Sequence, residues 1–239
     1  MNLRALTTSL AAAAACGSVA ADARAAPWAP TRTHATIARV VVASDVRQSP
    51  GGGKVLARLG TQAPWTGGPV ALLVLGGRRD GEGRLWLKVR LPDRPNDASG
   101  WVNADHVRTS VTPWRVRIRL RARSVSVYRR GRLVRRFRAV VGKPATPTPR
   151  GVFAVAERAR QADPAGFLGP WALHLTAHSD VLDNYGGGPG RVAIHGRSGA
   201  SLADPLGTAA SHGCVRVDNR QIRWLAARLR PGTPVRITR

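Results

Sequence analysis

Ser211-His212-Gly213-Cys214 follows Val192-Ala193-Ile194-His195-Gly196 along the chain, and these two stretches decide how the sequence is interpreted. Fifteen residues separate His195 from Ser211. A thiol attacks as the thiolate, and a nearby imidazole both lowers its pKa and carries its proton. The pattern therefore predicts covalent acyl transfer, with Cys214 as the nucleophile and His195 as the proton-transferring base.

The residues around the two motifs predict where these side chains lie. His195 ends a predicted strand, and Cys214 lies in a glycine-containing turn ahead of a predicted helix, so both are expected over a sheet on a rigid support. Attack by the thiol creates a tetrahedral oxyanion, which needs hydrogen-bond donors about 3 Å away. The backbone N–H groups of Gly213 and Cys214 are the candidates, because Gly213 allows a close approach of the chain.

A single helix is predicted after the cysteine turn. Asp218 is a suitable N-cap, and Gln221 three residues later completes a capping-box pattern. Apolar residues then recur at helical spacing along one face: Ile222, Leu225, Ala226 and Leu229. This spacing predicts one buried stripe packed on a sheet.

The rest of residues 113–239 has the pattern of β-strands. Residues 114–121 alternate apolar residues with arginine, which predicts a strand with one solvent face. Residues 124–141 predict a hairpin, and residues 142–151, with three prolines, predict an extended loop. Further strand candidates are 152–155, 171–175, 192–195 and 235–237.

Residues 31–109, here called the N-terminal module, predict a separate β-rich unit. Short strands are expected at 37–42, 70–75 and 85–91, with turns between them. The module resembles a bacterial SH3-like small β-barrel, and the segments that carry the resemblance are Arg47–Pro50, Trp86-Leu87-Lys88-Val89 and Gly100-Trp101-Val102. Such modules often dock to wall peptides, and a plain spacer is the alternative.

Residues 113–239 resemble the L,D-transpeptidase (YkuD-like) catalytic domain. Besides the spacing of His195 and Cys214, the segments that carry the resemblance are Val140-Val141-Gly142-Lys143, Thr146–Phe153, Ile194-His195-Gly196, Cys214-Val215-Arg216 and Gly232-Thr233-Pro234-Val235. The resemblance implies a mainly β protein, in which the SH3-like barrel precedes a β-rich catalytic domain with one C-terminal helix.

The family implies a transpeptidase of peptidoglycan that uses no metal or organic cofactor. Its cysteine attacks the L-to-D bond before the terminal D-Ala of a tetrapeptide stem, and an amine of another stem resolves the thioester as a 3→3 cross-link. By this resemblance Cys214 is the nucleophile and His195 the base. The other site residues it implies are Ser211, His212, Gly213, Gly196 and Arg216. Arg216 stands where some members carry Asn, and its guanidinium could clamp a substrate carboxylate.

Several alternatives stay open at this point. His195, His212 and Cys214 could instead form a three-ligand zinc site with an open position. A wall-binding protein that no longer turns over, or an L,D-carboxypeptidase in which water replaces the acceptor amine, would carry the same motifs. His212 fits a structural role as well as a catalytic one, and His178 is within plausible reach of the cleft.

The N-terminus predicts export. Residues 1–25 have a positively charged start, an apolar run at Ala5–Ala15 and small residues at Ala23–Ala25, as in a secretory signal. The run falls well short of the roughly 20 residues of a spanning helix, and no later segment approaches that length. We expect a protein of the periplasm or cell wall in which Cys214 is the one remaining cysteine. Lipid attachment at Cys16 is the alternative.

The net charge of +25, from 38 basic and 13 acidic residues, limits the partners. Outside a cell, such a charge attracts anionic wall polymers or anionic lipid, although a solvated basic surface is the simpler interpretation. Nucleic acid is not expected, because no interleaved aromatic platform accompanies the charge. The expected partners are therefore peptidoglycan stem peptides and anionic wall polymers.

Overall fold

The computed structural model describes residues 28–185 and 187–239. The predicted export signal, residues 1–25, lies outside this part of the chain. Within it, none of the helices has the length and apolar character needed to cross a membrane.

The N-terminal module contains seven strands in a single antiparallel sheet. They are β1 (Ala35–Val40), β2 (Ser44–Ser49), β3 (Gly52–Leu59), β4 (Ala71–Arg79), β5 (Leu85–Arg90), β6 (Ser99–Asn103) and β7 (Val107–Thr112). Their order across the sheet is β3-β2-β6-β5-β4-β1-β7, with β3 and β7 at its edges. The strands expected at 37–42, 70–75 and 85–91 correspond to β1, β4 and β5. The SH3-like barrel and the boundaries 31–109 and 113–239 stay predictions.

The C-terminal residues form a larger sheet of eight strands with one helix. The elements are β8 (Trp114–Arg119), β9 (Ser124–Arg129), β10 (Arg132–Arg138), β11 (Val141–Gly142), β12 (Gly151–Arg160), β13 (Trp171–His178), β14 (Arg191–His195), β15 (Ala209–Ser211), β16 (Val215–Arg216), α1 (Asn219–Ala226) and β17 (Pro234–Thr238). The sheet order is β10-β9-β8-β17-β12-β13-β14-β16, and β11 pairs with β15 separately. The expected mainly β fold is confirmed.

Alternation of apolar and polar side chains along the first strand of this sheet decides which of its faces packs into the core. On β8, Val116 and Ile118 are buried whereas Arg117 between them is exposed. The predicted hairpin is formed by β9 and β10. Strands β12 and β13 run further than expected, to Arg160 and His178. The added end of β12 pairs with the start of β13, Arg160 with Trp171, and the added end of β13 pairs with β14, His178 with Arg191.

Helix α1 begins at the N-cap that the sequence predicts, Asp218. The Gln221 side chain, which would complete the capping box, makes a tertiary contact instead. The Asp218 side chain accepts a hydrogen bond of 2.8 Å from the Arg220 N–H. Gln221 Oε1 instead accepts from Arg135 on β10 at 3.3 Å. The helix ends at Ala226, and Leu229 beyond it is still fully buried.

Two separate apolar cores stabilise the described chain. In the C-terminal core, helix and sheet bury their largest side chains against each other; these include Phe153, Leu173, Leu175, Ile194, Ile222 and Leu225. The core of the N-terminal module is a second cluster, which runs from Ala38 to Val107. A small third cluster joins Ala35 and Leu73 of the module to Ala154 on β12, so the two units are in apolar contact.

Candidate active site

The parallel pairing of β14 with β16 brings the two sequence motifs together. Ile194 pairs with Val215 and His195 with Arg216, so the fifteen-residue interval folds back on itself. Cys214 comes immediately before β16, and the Ala193 N–H donates to its Sγ at 3.4 Å. The pairing thus sets the thiol beside Ala193 of β14, two residues before the histidine.

The turn that carries the cysteine is shaped by Ser211. Its hydroxyl donates to the Cys214 carbonyl at 2.6 Å and accepts the Gly213 N–H at 3.2 Å. Gly213 has a φ of +118°, a backbone conformation that favours glycine. The two expected oxyanion donors therefore differ: the Gly213 N–H is engaged by Ser211, whereas the Cys214 N–H has no acceptor among the described residues.

The proline-rich loop between β11 and β12 supports this turn through two threonine hydroxyls. Thr146 Oγ1 donates to the Ser211 carbonyl at 3.2 Å, and Thr148 Oγ1 donates to the Gly213 carbonyl at 2.8 Å. Thr148 also accepts the Gly142 N–H at 2.9 Å. Both threonines are buried. Sequence reasoning missed this support, for which the one available signal was the alternation of threonine with proline.

His195 is buried and its ring is held in one tautomer. Nδ1 lies 2.8 Å from the Gly196 carbonyl, and because a carbonyl only accepts, Nδ1 carries the proton and Nε2 is the free base. Burial lowers the pKa of His195 to about 4; the Gly196 carbonyl opposes this change and the Arg216 cation adds to it. The imidazole is therefore neutral at physiological pH.

The thiol is half-buried, and its environment does not produce the low pKa expected from the sequence. Burial raises the pKa of Cys214, and the Ala193 N–H and the Arg216 cation offset this only in part. A thiol and an imidazole that are both neutral form the resting state. Proton transfer must then accompany attack on the substrate instead of preceding it.

Two cavities meet at Cys214. The smaller has a volume of about 200 Å³, and it is lined by Phe167, Leu168, Tyr185, His195, His212, Cys214 and Arg216. The larger has a volume of about 560 Å³, and its lining includes Trp65, His174, Tyr185, Arg191, His212 and Cys214. The proposed nucleophile and base thus share one cavity, and the nucleophile also opens into a longer cleft.

Arg216 lines the smaller cavity with one edge of its guanidinium already paired. Its Nη1 forms a 2.5 Å ion pair with Asp204 Oδ2, and the guanidinium lies 4.8 Å from the Phe167 ring centroid. Asp204 belongs to the segment between the two motifs, where the Arg197 guanidinium donates to the carbonyls of Leu202 and Asp204. These arginine contacts, which sequence reasoning missed, hold the segment in place.

His212 lies exposed at the mouth of both cavities. Its Nδ1 is 3.3 Å from the Tyr185 hydroxyl and its Nε2 is 3.5 Å from Lys143 Nζ, and its ring stacks on Tyr185 at 5.2 Å. His178 lines neither cavity; it is buried, and His174 takes the place expected for it in the cleft. In the part of the chain that the structure describes, no three His, Cys, Asp or Glu side chains are arranged to hold a metal ion.

Comparison with known proteins finds related sequences for the part of the chain that carries this site. A family model for the L,D-transpeptidase catalytic domain (YkuD) matches residues 113–237. The YkuD protein of Bacillus licheniformis is 36% identical over 126 residues, which are 53% of this chain and 66% of that protein. The YkuD protein of Bacillus subtilis is 29% identical over 127 residues, which are 53% of this chain and 67% of that protein.

Among solved structures, an L,D-transpeptidase of Enterococcus faecium is 24% identical, with a TM-score of 0.37. The match covers 52% of this chain and 49% of that one. The chain therefore spans about two thirds of the curated relatives it matches and about half of this structure.

Proposed function

Because the chain belongs to the L,D-transpeptidase catalytic domain family through residues 113–237, we propose that it is an exported cysteine transpeptidase acting on peptidoglycan tetrapeptide stems. The observation that carries the proposal is the shared cavity of Cys214 and His195, with a second, longer cleft that opens at the same thiol. An enzyme that joins two stem peptides needs room for both at one nucleophile.

Acylation begins with attack by Cys214 Sγ on the carbonyl carbon before the terminal D-Ala. His195 Nε2 takes the thiol proton as the C–S bond forms, and the Cys214 N–H is the donor available to the oxyanion. Collapse of the tetrahedral intermediate breaks the C–N bond, and the proton passes from His195 to the departing amine. The products are free D-Ala and a thioester of the stem on Cys214.

Transfer reverses these proton movements. An amine of a second stem attacks the thioester carbonyl and loses a proton to His195 Nε2. The C–S bond then breaks, Cys214 recovers its proton from the imidazole, and a 3→3 cross-link is released. Water in place of the amine would give the tripeptide, which is the L,D-carboxypeptidase alternative.

The sizes of the two cavities suggest which part of the substrate each holds. A volume of about 200 Å³ suits one small residue, so the leaving D-Ala occupies the cavity that contains His195 and Arg216. The free edge of the Arg216 guanidinium can pair with the D-Ala carboxylate there. The stem residues before the scissile bond extend into the cleft of about 560 Å³. Departure of D-Ala frees the smaller cavity for the acceptor amine.

The setting of the reaction is also proposed from the sequence. Residues 1–25 would direct export, and the net charge of +25 would hold the protein near anionic wall polymers. The function is then remodelling of the cell wall outside the cytoplasm.

Mass spectrometry of purified tetrapeptide muropeptides, incubated with the protein and with its Cys214→Ala variant, tests the proposal. A 3→3 dimer and released D-Ala with the native protein, both absent with Cys214→Ala, is the expected result. Residual turnover above a few per cent in the variant would remove Cys214 from the role of nucleophile.

The same experiment separates the alternatives. Tripeptide without dimer identifies the carboxypeptidase. Unchanged muropeptides that nevertheless bind to the protein identify a wall-binding protein without turnover.

A further inference from the structure

A loop of the N-terminal module forms part of the wall of the catalytic cleft. The loop, residues 60–70, joins β3 to β4 and carries Trp65. The Trp65 indole meets the His174 ring edge-on at 5.1 Å, and the Arg191 guanidinium lies 4.1 Å from its centroid. All three residues line the cleft of about 560 Å³ that contains Cys214. An aromatic part of the wall of this cleft therefore comes from outside the matched family region.

Hydrogen bonds hold the tip of the loop to β12, and further hydrogen bonds close the loop internally. Thr66 Oγ1 donates to Glu157 Oε2 on β12 at 3.0 Å, and Glu157 is buried. Within the loop, the Ala63 N–H donates to the Gly68 carbonyl at 2.7 Å and the Gly67 N–H donates to the Ala63 carbonyl at 2.9 Å. Trp65 thus projects from a closed turn that is fastened to the catalytic sheet.

Arg191 connects this loop to the rest of the module. Its Nη1 is 3.6 Å from Glu157 Oε1, and its Nη2 donates to the Pro92 carbonyl at 3.1 Å. The guanidinium also lies against the Trp65 ring, so one half-buried side chain of β14 contacts two loops of the module. These contacts fix the orientation of the indole relative to Cys214.

A second loop of the module holds another segment that lines the cleft. Arg94 donates to the carbonyls of Ser179 and Leu182, both at 2.9 Å. Asn96 exchanges two hydrogen bonds with the backbone of His178, at 2.8 and 2.9 Å. The segment held in this way carries Leu182 and Tyr185, which line the cleft. The module therefore shapes two walls of the cleft.

The wall around Trp65 carries little net charge. Burial, with the Arg191 cation, lowers the pKa of His174 to about 4, so its ring is neutral at physiological pH. The charge of Arg191 faces that of Glu157. Trp65 is nevertheless about 46% exposed, so the part of its ring that Arg191 does not cover is open to a ligand. Such a face contacts uncharged, extended parts of a substrate through its ring surface.

We propose that Trp65 is a specificity-determining residue, which packs on the part of the stem before the scissile bond. The inference rests on the proposed function, because that function assigns the stem to this cleft. It gives the N-terminal module a role distinct from wall docking or spacing: the module selects the acyl donor. Loss of the indole should weaken stem binding and leave the chemistry at Cys214 intact.

Calorimetric titration of a disaccharide-tetrapeptide muropeptide into the full chain tests the inference directly. The comparison is made in the Cys214→Ala background, where no turnover interferes. Adding Trp65→Ala should raise Kd about tenfold, the loss expected for a large aromatic contact. Trp65→Phe, which keeps an aromatic face, should raise it less.

Trp101→Ala is the matched control. Trp101 belongs to the same module, carries Arg78 over its ring at 5.9 Å and lines neither cavity, so its removal should leave Kd unchanged. In the active protein, Trp65→Ala should raise KM about tenfold with kcat within about twofold. Alkylation of Cys214 by iodoacetamide should keep its native rate.

The outcomes separate the inference from the proposed function. An unchanged Kd and KM in Trp65→Ala overturns the inference and leaves the transpeptidase standing. A Cys214→Ala protein that fails to bind the muropeptide overturns the inference too. Weakened binding in Trp65→Ala, together with a native protein that never turns the muropeptide over, supports the inference and overturns the proposed function.

Discussion

Burial decides the chemistry of the two reactive residues. It raises the pKa of the Cys214 thiol and lowers that of the His195 imidazole, so each change favours the neutral form. The Gly196 carbonyl fixes the tautomer that leaves Nε2 as the base. The thiol is therefore protected from indiscriminate reaction until a bound substrate brings the proton transfer and the attack together.

This resting state predicts how alkylation depends on pH. The rate of Cys214 modification by iodoacetamide should rise throughout the range from pH 6 to about pH 9, because burial raises the pKa of Cys214 above that of an ordinary thiol, about 8.5, and below the pKa the thiolate fraction grows about tenfold per pH unit. Titration of His195 should contribute no inflection near pH 6.5. Intact-mass spectrometry of the timed reaction measures the rate. A plateau below pH 7 would instead indicate a thiolate–imidazolium pair.

The loop between β11 and β12 illustrates how an irregular element supports the site. The loop expected to be extended begins with a turn, in which the Thr146 N–H donates to the Lys143 carbonyl at 3.0 Å. Thr146 and Thr148 then donate their hydroxyls to the carbonyls of the cysteine turn. Gly142 is required beside this loop, because a Cβ there would collide with the backbone of Thr146 and Thr148. The loop thus replaces the hydrogen bonds that regular structure would supply to a buried turn.

Replacing Thr148 by valine should disturb the turn without changing the size of the side chain. The change removes the partner of both the Gly213 carbonyl and the Gly142 N–H, which should cost about 2 kcal/mol of stability and lower kcat about tenfold. Urea denaturation and D-Ala release measure the two effects.

Thr109→Val is the matched control for that variant. Thr109 is exposed on β7, so the stability should change by less than about 0.5 kcal/mol. Equal effects in the two variants would mean that the Thr148 hydrogen bonds do not support the turn.

At the scale of the whole molecule, the two units form one functional body. Each has its own apolar core, but loops of the N-terminal module reach the catalytic cleft through Trp65 and Arg94. The module also buries Leu73 against Ala154. The unit predicted as a docking module or a spacer thus also contributes to the shape of the cleft, and its docking role stays a prediction.

Acid should destabilise the whole protein in a defined pH window. His195 and His178 are buried, and burial lowers the pKa of each to about 4 from the ordinary 6.5; Arg216 adds to this at His195, and Arg191 and Arg94 add to it at His178. The unfolded chain then binds more protons between pH 6.5 and 4, so stability falls as the pH drops through this range. For His195 alone the loss between pH 7 and pH 5 is roughly 2 kcal/mol.

Urea midpoints at pH 7 and pH 5 measure this loss. In a His195→Gln variant the fall should be smaller by about the contribution of that histidine. Equal midpoints at the two pH values in the native protein would show that the histidines are not buried in the neutral form.

The net charge of +25 predicts salt-sensitive association with the wall. Screening shortens the range of charge attraction from about 10 Å at 0.1 M salt to about 3 Å at 1 M. Retention on purified sacculi, measured by sedimentation, should therefore fall steeply over this range if charge supplies the affinity. Retention that does not change with salt would identify a specific docking contact instead.

The sequence alone was sufficient for the features that depend on local pattern. Alternation predicted β8 and its buried residues, and helical spacing predicted α1. The strand patterns predicted the mainly β fold, and the resemblance of several segments, with the spacing of His195 and Cys214 among them, predicted the family. Such patterns can be recognised in a sequence because strands and helices repeat at fixed periods and because acyl transfer by a thiol needs a base nearby.

Only the tertiary structure decided what depends on contacts between distant residues. Whether the Cys214 pKa rises or falls depends on how deeply the fold buries it, and no neighbouring residue type encodes that depth. Thr148 supports a turn far along the chain, at Gly213, and Trp65 contacts His174 of the other unit. Thr148 lies in a segment that resembles the family and Trp65 does not, but in neither case does the local sequence show what the side chain contacts, because the packing of loops against a finished sheet decides it.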